Sequence, residues 1–197
     1  MVKTLATVFA ILLVCTLGAT HANSFTYLGT VSGGQLIYDP GQNLTWYVPP
    51  AIYGTTNMSW TGAQNWAAGL TVDGTTAGSW SCPSTSDSWS ATGQMGTLFT
   101  ELGDTTGTPA TWTSKGPFTN LAGVGYWTNT QSTMSPGNAW FYYFYSNSQT
   151  LGPLTGLPEY TIAVHAGELA SVPVPAAILL FAPGLTGLAV VRRRFKK

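Results

Sequence analysis

Between residues 25 and 48, short apolar runs are broken at intervals by turn formers. Phe25-Thr26-Tyr27-Leu28, Gln35-Leu36-Ile37-Tyr38 and Leu44-Thr45-Trp46-Tyr47-Val48 read as three strands. Gly33-Gly34 and Asp39-Pro40-Gly41-Gln42-Asn43 read as the turns between them, and Pro49-Pro50 ends pairing because proline has no N–H for a ladder. The spacing then becomes helical. Ser59 is placed to cap a helix with Trp60, Ala63, Ala67 and Leu70 along it and Gly69 near its end. A second helix is predicted over Gly93–Leu102, with Met95, Leu98, Phe99 and Leu102 on one face and Gly103 as its stop. The segment Gly78–Ser84 between them reads as irregular. Strand patterns return at Gly125–Asn129, at Ala139-Trp140-Phe141-Tyr142-Tyr143-Phe144-Tyr145 and at Tyr160–His165. Strands, two helices and then strands predict an α+β domain over residues 23–170, with no repeat of fixed period.

Charge sharpens this division. The chain has seven basic and seven acidic residues, but the two sets are segregated. Lys3 is near the start, and Arg192, Arg193, Arg194, Lys196 and Lys197 are at the other end. Between them Lys115 stands alone against Asp39, Asp73, Asp87, Glu101, Asp104, Glu159 and Glu168. Such a surface has no counterions for phosphates, which disfavours nucleic acid as a partner. Abundant aromatics argue against disorder, and hydroxyls and amides must do the solvation that charges do elsewhere.

Both ends carry export signals. Residues 1–22 read as a signal peptide for signal peptidase: Lys3 is the charged region, Val8–Val14 opens the apolar region, and Thr20-His21-Ala22 places small residues before a cut after Ala22. Cys15 lies in this segment, preceded by Val14, too bulky for the position before a lipidated cysteine. Cys82 is then left without an intrachain partner. Near the C-terminus an uncharged stretch over 172–191 has about the 20 residues needed for a transmembrane helix, and the basic end, 192–197, stays on the cytoplasmic side.

The order of these last parts resembles the PEP-CTERM class of sorting signals, in its Val-Pro-x-Pro-Ala variant. Val172, Pro173, Val174, Pro175 and Ala176 form the motif, followed by a Gly/Leu-containing span and Arg192, Arg193 and Arg194. Val174 stands where the main class has Glu, and Ala182-Pro183 stands where small residues are commoner. The resemblance implies that residues 171–197 are handled by exosortase, a membrane cysteine protease or transpeptidase. It also implies brief anchoring in the inner membrane, and a final place on the surface or in the matrix of a bacterium that makes exopolysaccharide.

The middle resembles the Lcl C-terminal domain family, named for a bacterial collagen-like adhesin. The matching residues are Asp39–Trp46, Trp60–Leu70, Trp80-Ser81-Cys82-Pro83-Ser84, Glu101-Leu102-Gly103, Gly116–Leu121, Tyr126-Trp127-Thr128, Ala139-Trp140 and Ala163-Val164-His165. Ser81 and His165 stand where the family has Arg, and Cys82 where it has Leu. Two arginines able to lock loops by bidentate bonds are therefore missing. The resemblance implies a single C-type-lectin-like domain, a fold that hosts sugar binding, protein binding and some catalysis.

Candidate chemistry is sparse. Once the signal segment is removed, His165 is the one histidine, and no Gly-x-Ser-x-Gly elbow frames a serine nucleophile. Cys82 reads as a small buried hydrophobe. One Cys and one His are too few for zinc. Asp73, Asp87 and Asp104 sit in loops of the kind that hold calcium, without EF-hand spacing, and no cofactor is expected. Glycosidase chemistry needs a carboxylate pair; Glu101 and Asp104 are close in sequence but sit at a helix C-terminus, where anions are disfavoured. The sequons Asn43-Leu44-Thr45 and Asn57-Met58-Ser59 carry little meaning in a bacterium. The aromatics remain. On the strand Ala139–Tyr145, alternation puts Trp140, Tyr142 and Phe144 on one face and Phe141, Tyr143 and Tyr145 on the other. One face is core. Trp140, Tyr142 and Phe144, with Trp127, form a candidate platform for sugar rings, against the plainer reading of a strand covered on both sides. The leading expectation is a non-enzymatic surface or matrix module that interacts with exopolysaccharide or another surface component. The rivals are a matrix-glycan enzyme using loop carboxylates and a purely structural matrix filler.

Overall fold

A computed structural model describes residues 25–50, 57–103 and 116–170. The first three strands form a meander: β1 (Thr26–Val31), β2 (Gly34–Asp39) and β3 (Leu44–Val48). The first turn is Ser32-Gly33, one residue earlier than the sequence pattern indicates. Ser32 and Gly33 both have positive φ, 51° and 79°, as a two-residue hairpin turn of the primed kind requires. Gly34 belongs to β2, where a Cβ would lie 2.2 Å from the Tyr47 ring, so glycine serves packing there. The second turn is held by Asp39, which is fully buried. Its carboxylate accepts from Gln42 N at 3.1 Å, Gln42 Nε2 at 2.9 Å and Trp46 Nε1 at 3.3 Å. The Asp39–Trp46 motif is therefore a self-closing turn.

A two-residue strand, β4 (Asn57–Met58), precedes α1 (Trp60–Ala68). Ser59 caps this helix, its hydroxyl accepting from Gly62 N, and Gly69 closes it. After a 3-10 turn at Val72–Gly74 come β5 (Trp80–Ser81), within a segment expected to be irregular, and α2 (Gln94–Glu101). The second half adds β6 (Gly125–Gln131), β7 (Asn138–Tyr143), β8 (Ser148–Pro153), β9 (Glu159–Tyr160) and β10 (Ala163–Ala166). The run Tyr160–His165 is thus not one strand. Thr161 and Ile162 separate two short pieces that belong to different sheets. Phe144 and Tyr145, expected to continue β7, lie in the turn after it.

The strands make two five-stranded sheets, ordered β1-β2-β3-β10-β5 and β4-β9-β6-β7-β8. All pairs are antiparallel except β6 with β9, which meet in parallel at Tyr126 and Tyr160. With two helices, this is an α+β domain. Its core has two parts. Met95, Leu98, Phe99 and Leu102 of the α2 segment pack with Trp46, Phe118, Tyr142 and Phe144. Ala63 and Ala67 of α1 pack with Tyr47, Trp80, Cys82 and Trp127. Successive residues of β3 enter different clusters, Trp46 and Val48 one and Tyr47 the other, so both faces of that strand are covered. No helix among the described residues is long and apolar enough to cross a membrane. The expected signal peptide (1–22) and the sorting tail (171–197), with Val172–Ala176 and Arg192–Arg194, lie outside the described residues.

Candidate functional site

The expected aromatic platform is overturned by burial. Trp127, Trp140, Tyr142 and Phe144 are all fully inaccessible to solvent. Trp127 lies in the cluster beneath α1 and donates its indole N–H to Met58 O at 2.7 Å. Tyr142 and Phe144 lie in the cluster beneath α2, and the Tyr142 hydroxyl donates to Asn147 Oδ1 at 2.6 Å. Trp140 is roofed by the segment between β5 and α2. Alternation along β7 identifies which residues share a face but not what covers that face. On the opposite face the rings of Phe141, Tyr143 and Tyr145 follow one another at 5.2 and 5.3 Å, running from buried Phe141 through half-buried Tyr143 to exposed Tyr145.

The roof is residues 84–93, which fold back by a dense set of hydrogen bonds. Asp87 is the main clamp. Its Oδ2 accepts from Thr133 N at 2.9 Å and Thr133 Oγ1 at 2.5 Å, and its Oδ1 accepts from Trp140 Nε1 at 2.8 Å. These donors favour the charged form, the Thr133 hydroxyl most, followed by the Trp140 indole, and they hold the carboxyl down to about 2. Gln149 on β8 is the second clamp. Its Nε2 donates to Ser86 O at 2.9 Å and to Ser88 O, while its Oε1 accepts from the Thr85 hydroxyl. Thr130 Oγ1 donates to Thr85 O at 2.8 Å, and Ser84 N donates to Gln94 Oε1 at 2.7 Å. Glycine permits the close approach to α2: a Cβ on Gly96 would lie 2.2 Å from Ala91 O, and one on Gly93 2.9 Å from Thr85 Cα.

What this segment presents is Trp89. Its side chain is 66% exposed, more than any other large apolar residue described. One edge is fixed against Trp140, the rings meeting edge to face at 5.0 Å and 86°. Met134, the neighbour of Asp87's partner Thr133, is also exposed. Two residues beyond Trp89 an open cleft of about 280 Å³ begins, lined by Ala91, Thr92, Gly93, Thr97, Thr100 and Glu101, with Gly96 at its side. The sequence pattern passes over Trp89 because a tryptophan inside Ser84-Thr85-Ser86-Asp87-Ser88 and Ser90 has no periodic neighbours. The available signal is the ring itself, isolated in a hydroxyl-rich loop.

The residues considered for catalysis lie on different elements, Cys82 just after β5, His165 on β10 and Glu101 at the end of α2. Cys82 is fully buried, with its Sγ 3.5 Å from both Ala63 O and Thr161 Oγ1. Burial pushes its thiol up to about 11, so it stays protonated at neutral pH, consistent with a small core residue. His165, the third residue of β10, pairs with Trp80 and Thr45 across the sheet and lays its ring 5.3 Å from that of Trp80. Its Nδ1 is buried and has no hydrogen-bond partner. Glu101 lines the cleft and accepts from Gln42 Nε2 at 3.3 Å. Asp104, its expected companion and the third member of the Asp73, Asp87 and Asp104 set, lies outside the described residues. Among the described residues, no three His, Cys, Asp or Glu side chains gather where a metal ion could be held.

The chain matches no protein-family model, and no curated protein or solved structure is found to be similar to it.

Proposed function

We propose that this chain is an exported bacterial surface or matrix protein, sorted by exosortase, whose domain binds exopolysaccharide without catalysing its turnover. The observation that carries the binding half is Trp89: a large aromatic ring kept in water by a loop that hydrogen bonds and Trp140 hold in place. Sugar rings offer C–H faces that stack on exposed aromatic surfaces of this kind. The sorting half rests on the tail motif, Val172-Pro173-Val174-Pro175-Ala176, with the Arg192–Arg194 cluster after the apolar span. In this reading signal peptidase removes residues 1–22, the span holds the chain briefly in the inner membrane, and exosortase then releases or transfers it. The finer description of the domain as C-type-lectin-like, of the Lcl C-terminal kind, is supported by the return of the last strand, β10, to the sheet of the first three, beside β3.

The test is retention of the processed, exported chain on the exopolysaccharide of the bacterium that makes it. Binding above that of a non-cognate secreted protein is expected. Absence of retention sinks the binding half. For the sorting half, Pro173→Ala with Pro175→Ala should leave the chain in the membrane fraction; unchanged release would refute exosortase handling.

A further inference from the structure

Trp89 and the cleft that opens two residues after it lie on one stretch of chain, and we infer that together they take an uncharged polysaccharide rather than an acidic one. This inference rests on the exopolysaccharide reading above and specifies its ligand. Its first support is the charge of the domain, in which seven acidic residues stand against Lys115 alone. The described residues include no lysine or arginine, whereas Asp39, Asp73, Asp87, Glu101, Glu159 and Glu168 are all among them. A uronic or sulfated sugar would bring negative charge to a surface already rich in it, and in the cleft it would meet the Glu101 carboxylate. Like charges at close range oppose binding and raise the cost of desolvation.

The second support is the kind of polar group the site offers. Thr92, Thr97 and Thr100 line the cleft. Hydroxyls both donate and accept, which suits a ligand that is itself a set of hydroxyls. Glu101 is an acceptor there, already engaged by Gln42. The cleft volume, about 280 Å³, is near the lower end of small-ligand pockets, about 300 Å³ upward, which suits a sugar unit rather than a bulky group.

The third support is preorganisation. Trp89 is held by its edge contact to Trp140 while its neighbours Ser86 and Ser88 are tied to Gln149. A ring fixed before the ligand arrives loses little freedom on binding. The ring would carry one sugar face, and the threonines would read the hydroxyls of the next unit along the chain.

The experiment is affinity electrophoresis of the exported, processed protein in gels containing dextran, hydroxyethylcellulose or alginate, run beside its cognate exopolysaccharide. Retardation is expected in at least one neutral gel and in the cognate polymer, with none in alginate. Trp89→Ala should weaken that retardation about tenfold, the equivalent of about 1.4 kcal/mol. Trp89→Phe should keep part of it, and near-UV circular dichroism of the variants should show the fold intact. Stronger retardation in alginate than in the neutral gels would overturn the assignment of ligand class. Full retardation of a folded Trp89→Ala variant would overturn the site while leaving exopolysaccharide binding standing. No retardation of the unsubstituted protein in any gel, cognate polymer included, would remove the underlying reading as well.

Discussion

Replacing Gly96 by alanine sets two physical effects against each other. Glycine to alanine in a helix interior ordinarily gains about 1 kcal/mol, because alanine loses less backbone freedom on folding. Gly96, however, is buried in α2 against the Trp89 loop, and its added Cβ would lie 2.2 Å from Ala91 O and 3.0 Å from Ala91 C. Overpacking of this sort costs about 1–3 kcal/mol. The upper end applies here, because the obstacle is backbone in a segment tied down through Asp87, Gln149 and Gln94. The net expectation is a loss of roughly 2 kcal/mol, with a Tm lower by several degrees. The assay is urea unfolding followed by tryptophan fluorescence. Thr97→Ala serves as reference: it is the next residue, exposed on the same helix, and responds to helix propensity alone. It should hold or gain up to about 0.5 kcal/mol. If Gly96→Ala proves as stable as the parent or more so, propensity has won and the close packing of residues 84–93 on α2 is wrong.

Other expectations concern single groups. The Asp87 carboxyl is held below its ordinary value, so its clamp is complete above the unfolded pKa of about 4 and fades as pH falls through about 2. Acrylamide quenching of tryptophan should rise over that window, and Asp87→Ala should show the loosened behaviour at every pH. Cys82 should react with a disulfide reagent only after denaturation, because its thiol is buried and pushed up to about 11; fast reaction in the native state would contradict its placement. Phe118 is fully buried, with edge contacts to Phe25 at 5.1 Å and Trp46 at 6.4 Å. Phe118→Ala should cost about 3–5 kcal/mol in chemical denaturation.

The elements legible in the sequence are those whose signals are local. Ser59 and Gly69 bound α1 by capping, and the apolar face of α2 repeats at helical spacing, so both were readable before any partner was known. The β1–β3 meander was readable because its turns carry their own chemistry, Asp39 above all. What was hidden depends on partners distant in sequence. β4 and β5 are two residues long and exist because β9 and β10 lie beside them. β8 is polar and contains Gly152 and Pro153, a composition tolerated on a sheet edge; Gly152 is needed because a Cβ would lie 2.6 Å from Leu157 and 2.9 Å from Trp127. The break inside Tyr160–His165 has no Gly, Pro or polar cluster to mark it, since Thr161 and Ile162 are themselves buried. The site was misread for the same reason. Period-two alternation correctly grouped Trp140 with Tyr142 and Phe144, yet the cover over that face comes from a serine-rich loop more than fifty residues upstream, held there by Asp87 and Gln149.

The split between β9 and β10 also has a mechanical meaning. A pull on the C-terminal segment enters the domain at β10, which lies between β3 and β5 rather than at a sheet edge. The β10–β3 ladder runs over four residue pairs, Ala163 with Tyr47 through Ala166 with Leu44. Tension along the strand therefore loads these pairs together, in shear, rather than peeling them one at a time. Only two buried residues, Thr161 and Ile162, separate that strand from β9, so load passing beyond β10 is delivered directly to the second sheet. The domain is wired to resist as one body when drawn by its C-terminal side.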